Sequence, residues 1–90
     1  MSLSWKEIAV RIEQLSDSQL LRFSLHETFG GGIAVIELNP KYPGKKEKKY
    51  WLRYGKSEEN ARKAVEPHWA TDKAKDLAKW VSDRVGELLP

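Results

Sequence analysis

The chain has 90 residues, of which 40% are hydrophobic and 32% charged, with a net charge of +3. That length suits one small domain spanning residues 1–90 and excludes a two-domain enzyme with an interdomain cleft. Cysteine is absent, which excludes disulfides, thiolate catalysis and cysteine-ligated zinc or iron–sulfur centres, and favours a reducing, cytoplasmic setting.

Ser4-Trp5-Lys6-Glu7 has the form of a capping box, with Leu3 and Ile8 placed for a hydrophobic staple. Trp5, Ile8, Ala9, Ile12 and Leu15 then recur at helical spacing, so a first helix is expected over about residues 5–15. Ser16-Asp17-Ser18 ends it, because these side chains offer the backbone competing hydrogen bonds. From residue 20 the period changes to two. Leu21, Phe23, Leu25 and Phe29 alternate with Arg22, Ser24, His26 and Thr28, the pattern of a half-buried strand.

Gly30-Gly31-Gly32 supplies residues that tolerate positive φ, and Ile33–Leu38 reads as a second strand. A phosphate-binding loop would need a helix after the glycines, and a strand follows instead, so a turn is expected. Pro40, Pro43 and Gly44 mark a further turn. Lys48–Tyr54 is then a third strand, with Tyr50, Leu52 and Tyr54 on one face and Lys49, Trp51 and Arg53 on the other.

Ser57 is placed to cap a short helix whose inner face is Ala61, Ala64 and Val65, stopped near Glu66 by Pro67. Thr71 or Asp72 is expected to cap a last helix with the stripe Ala74, Leu77, Ala78, Val81, Val85 and Leu88. Trp80 flanks that stripe. Trp5 and Trp69 are expected to pack in the core.

The fold expected from this order is α+β: a two-layer sandwich, α-β-β-β-α-α, with a three-stranded antiparallel meander and the helices packed on one face. Leu21, Phe23, Leu25 and Phe29 would lie under the helices. Arg22, His26, Ile33 or Val35, Trp51 and Arg53 would occupy the other face. The order α-β-β-β-α is similar to that of double-stranded RNA-binding domains, and Thr71-Asp72-Lys73-Ala74-Lys75 resembles the start of their last helix. Departures are evident: Thr71-Asp72 stands where that family has a basic pair, and Gly30-Gly31-Gly32 where it has a Gly-Pro-x-His loop. An extra helix also follows strand three. No residue role is carried over.

Charge is unevenly spread. Residues 41–56 hold seven Lys or Arg and one Glu, whereas residues 1–40 and 57–90 each carry a small net negative charge. The basic hairpin is interleaved with aromatic residues. Cations neutralise phosphates, and rings stack on unpaired bases. A non-catalytic nucleic-acid-binding module is therefore expected. Its contacts would be Lys41, Lys45, Lys46, Lys48, Lys49, Arg53 and Lys56, with Trp51 as a stacking ring. The rival expectation is a protein-interaction or self-association module, a homodimer for example, using the open sheet face or the edge of strand three. In that case Trp51 either forms the interface or covers its own face by lying over Arg22 or Arg53.

No catalytic motif is present, so no enzymatic activity and no cofactor are expected. His26 and Glu27 would point to opposite faces of a strand, and His68 has no partner at ligand spacing, so no metal site is expected. The longest apolar run is Ile33–Ile36, far short of a membrane span. Charged residues inside the first apolar pattern argue against a signal peptide.

Overall fold

A computed structural model describes residues 4–63, 66–84 and 86–90. Helix α1 (Trp5–Glu13) starts as its sequence dictates, with the Ser4 hydroxyl accepting the Glu7 N–H at 3.3 Å. The expected staple partner Leu3 lies outside the described residues. Ile8, Ala9 and Ile12 are buried. The helix stops two residues earlier than its stripe suggests. A tight turn follows, in which Gln19 Oε1 accepts from both the N–H and the hydroxyl of Ser16.

Strand β1 (Leu20–Ser24) is shorter than the alternating pattern. Residues Glu27–Phe29 form a 3-10 turn, with His26 Nδ1 accepting from the Thr28 N–H at 3.2 Å. This local bond takes the backbone out of the ladder. Phe29, expected beneath the helices, is instead 51% exposed. Gly30, Gly31 and Gly32 all have positive φ, as their sequence implies, and lead into β2 (Ile33–Leu38). After the loop of residues 39–49, β3 (Tyr50–Gly55) returns antiparallel to β2.

Helix α2 (Glu58–Lys63) is capped by Ser57, whose hydroxyl accepts the Asn60 N–H at 3.1 Å. Its expected inner residues Ala64 and Val65 lie outside the described residues. Two strands were not foreseen: β4 (Trp69–Thr71) and β5 (Glu87–Leu88), separated by α3 (Ala74–Asp83). The meander is thus widened to a five-stranded antiparallel sheet of order β4-β3-β2-β1-β5. Strands of three and two residues are too short to show a period. Thr71 belongs to β4. Its hydroxyl accepts the Lys73 N–H at 3.1 Å, and Lys73 occupies the N-cap of α3 without a side-chain cap. The stripe residue Val85 lies outside the described residues, and Leu88 sits in β5.

Pairing register sets the two faces. Phe23 opposes Ala34, which opposes Tyr54; Leu21 opposes Ile36, which opposes Leu52. These side chains form one face, and α1 and α3 pack on it with Ile8, Ile12, Leu77, Ala78 and Val81. Leu21, Phe23 and Leu25 lie under the helices as expected.

The opposite face carries Val35, Glu37, Trp51 and Arg53, and α2 lies against β2 and β3 there. The helices are therefore not confined to one face. Gly55 permits the close approach, since a Cβ at that position would stand 3.0 Å from the Ala61 nitrogen. Val35 is fully buried, and Arg22 reaches Glu58 at 3.4 Å.

Candidate nucleic-acid interface

The loop of residues 39–49 is organised by one side chain. Asn39 is 3% exposed. Its Nδ2 donates to Glu47 Oε2 and to the Lys48 carbonyl, both at 2.9 Å, and its Oδ1 accepts the Lys41 N–H at 2.9 Å. The backbone adds Asn39 N–H to Lys49 O and Tyr42 N–H to Asn39 O. An Asx turn and a cross-loop clamp thus hold a lysine-rich segment in a defined shape. Asn39→Ala removes three hydrogen bonds and leaves the part-buried Lys41 N–H and Lys48 carbonyl without this partner. The expected cost is about 1–3 kcal/mol, read from urea unfolding. A neutral result would mean that the loop does not depend on Asn39.

The loop presents Lys41, Lys45 and Lys46 to solvent, and among the described residues none of the three forms an ion pair. Lys46 takes a left-handed backbone, φ 65°. Lys48 pairs with Asp72 at 3.7 Å, with both side chains more than half exposed, so the contact is weak. Asp72 also accepts the Lys49 N–H at 2.7 Å, and this ties the loop to the end of β4. Lys49 is half-buried, with its ammonium 5.4 Å from the Tyr50 ring.

The other expected contacts do not join this group. Arg53 is 8% exposed, on the α2 face, with Nε 3.5 Å from Glu37 and Nη1 donating to the Arg62 carbonyl at 3.4 Å. Its guanidinium lies 5.0 Å from the Trp51 ring, the Arg53 contact that the sequence reading allowed, and α2 covers this face. Lys56 follows the far end of β3, about 23 Å from Lys49 at strand spacing. The basic hairpin of the sequence is thus a basic loop, a buried arginine and a remote lysine. The edge of strand three is also occupied, since Tyr50, Trp51 and Leu52 pair with β4.

Sequence reading missed a run of rings at the other end of β3. The His68 and Tyr54 rings stack at 3.9 Å, and Tyr54 meets Trp80 at 5.4 Å. The Arg84 guanidinium lies 4.0 Å from Trp80 and 5.3 Å from Phe29. Tyr54, at 40% exposure, sits in the middle. A cleft of about 400 Å³ is lined by Leu52, Tyr54, His68, Trp69 and Trp80, and one of about 250 Å³ by Leu25, Phe29, Tyr54, Trp80 and Arg84. These residues come from β3, β4, α3 and the segments that follow β1, α2 and α3, so no single sequence spacing links them.

A second unforeseen group lies on the helical layer. Lys79, Lys75 and Lys6 place their ammoniums 4.9, 5.6 and 5.7 Å from the Trp5 ring. The indole is half-buried and packs against the core. Among the described residues, no three of His, Asp and Glu stand close enough to hold a metal ion. Nor is any helix among them long and apolar enough to cross a membrane. No protein-family model, curated protein or solved structure matches the chain.

Proposed function

We propose that this is a non-catalytic nucleic-acid-binding domain, with the loop of residues 39–49 as its phosphate-contacting element. The observation that carries this reading is the Asn39-ordered loop. It holds Lys41, Lys45 and Lys46 exposed, and among the described residues none of them is in an ion pair. A lysine that is already unpaired gives up no internal contact when it meets a phosphate, and the ordered loop limits the entropy lost on binding. Lys48 and Lys49 sit behind these three. They contribute positive potential while anchoring the loop through Asp72.

The test is a salt series of binding measurements by fluorescence anisotropy, with mixed-sequence RNA and DNA. Each phosphate contact adds roughly 0.7–0.9 to the slope of log affinity against log salt. The triple variant Lys41→Ala, Lys45→Ala, Lys46→Ala is expected to lower that slope by about two and to weaken binding to all sequences alike. An unchanged slope in that variant, or no binding at low salt by the wild type, would overturn the reading. A concentration-dependent dimer in sedimentation, together with absence of nucleic-acid binding, would favour self-association instead.

A further inference from the structure

We infer that the aromatic clefts around Tyr54 take unpaired nucleobases, so that the domain prefers single strands to duplexes. This rests on the nucleic-acid reading of the lysine loop and adds a second site to it. His68, Tyr54, Trp80, Arg84 and Phe29 form one continuous series of ring and guanidinium contacts between 3.9 and 5.4 Å. The two clefts lie on either side of the Tyr54–Trp80 contact.

Their lining decides the class of occupant. It contains one permanent cation, one imidazole, two indoles, a phenol and a phenyl ring, and no carboxylate. A cationic guest such as a methylated lysine is disfavoured, because Arg84 already lies against Trp80 and would repel it. A planar guest attached to a phosphate suits both the ring faces and the positive charge. The larger cleft falls within the roughly 300–1,000 Å³ typical of ligand sites. It accepts any base by its π-face, so little sequence preference follows.

Strand β4 links the two sites. Its end at Thr71 leads into Asp72, which holds the lysine loop, and its beginning follows His68, which stacks on Tyr54. From Asp72 to His68 is about 13 Å at strand spacing. That equals about four nucleotides at the 3.4 Å stacked rise of one strand, the lower end of the roughly 4–16 nucleotides typical of non-specific single-strand sites. A strand lying along the outer edge of β4 would thus run from the Lys48–Lys49 end of the loop, held at Asp72, to the cleft lined by His68 and Trp69, with the second cleft beyond Tyr54.

Binding of oligothymidylate and of a mixed-sequence duplex, measured with the full chain at equal salt, tests this. The wild type is expected to prefer the single strand, with quenching of tryptophan fluorescence. Tyr54→Leu keeps an apolar side chain on the sheet but removes the ring. It is expected to weaken oligothymidylate binding about tenfold and to leave duplex binding unchanged. Tyr54→Phe retains the ring and is expected to keep the wild-type preference. Salt-sensitive binding that depends on the loop lysines, but shows no strand preference and no effect of Tyr54→Leu, would overturn this inference and leave the phosphate reading standing. No nucleic-acid binding at all would overturn both. A saturable fluorescence response to a polyproline peptide, lost in Tyr54→Leu and absent with oligothymidylate, would reassign the clefts to a peptide.

Discussion

Gly32→Ala is expected to destabilise the domain by about 2–4 kcal/mol, the sum of a left-handed-backbone penalty and a steric clash. Gly32 has φ +92°, and a Cβ there would run into the Gly55 carbonyl, with Lys56 Cα at 3.2 Å. The obstruction is backbone on both sides, so it cannot be relieved by a rotamer change. It also falls where β2 and β3 close together, beneath the Gly55–Ala61 contact that seats α2. Gly30→Ala is the control. Its φ is +88°, but nothing lies within 4 Å of the added atom. That variant is expected to lose only the conformational part, about 1–2 kcal/mol. At roughly 4–8 °C per kcal/mol for a domain of this size, thermal unfolding should separate the two variants clearly. Equal losses would mean that the close approach at Gly55 is not tight in solution.

Glu37→Ala is expected to cost about 2–3 kcal/mol, somewhat less than the roughly 3–5 kcal/mol for breaking a fully buried ion pair. The Arg53 and Glu37 side chains are 9% and 23% exposed, and the pair lies between the sheet and α2. Removing the carboxylate leaves a guanidinium that water reaches poorly. Pairing Glu37→Leu with Arg53→Met replaces both charges by apolar groups and is expected to recover most of the loss in urea unfolding. The same variants decide what Arg53 does. Arg53→Met should lower stability and leave the salt slope of nucleic-acid binding as in the wild type, because the guanidinium does not face solvent with the loop lysines. A lowered slope in Arg53→Met would return it to the binding surface.

Both substitutions bear on how the sheet is closed off from solvent. A three-stranded sheet covered on one face would have left Val35, Trp51 and Arg53 open. With α2 against that face, Val35 is fully buried and Arg53 nearly so. What remains for recognition is the loop of residues 39–49, the outer edge of β4 and the ring series around Tyr54. Asp72 joins the first two, and His68, just before β4, belongs to the third.

Much of this was written in local sequence. The cap at Ser4, the helical stripe through Ile8 and Ile12, the positive-φ glycines and the span of β2 are properties of neighbouring residues. So is the alternation within each strand, which separates Phe23 from Arg22 and Leu52 from Arg53; that Phe23 and Leu52 share a face, with Val35 and Arg53 on the other, was set by the pairing register. The sequence also located the basic segment and left Trp51 stacking on Arg53 as one of two outcomes. Tertiary structure decided the rest. The strands β4 and β5 are too short to carry a period and exist because β3 and β1 offer them edges. Helix α2 crosses to the second face because Gly55 lets it approach. Arg53 leaves the basic group because Glu37, sixteen residues away, meets it inside. His68, Tyr54, Trp80 and Arg84 become one series only when a β-edge, a turn and a helix end converge. Period and capping are local energies that a sequence displays directly. Which face a helix covers, and which distant rings touch, depend on contacts between segments whose register is fixed only when the whole core packs.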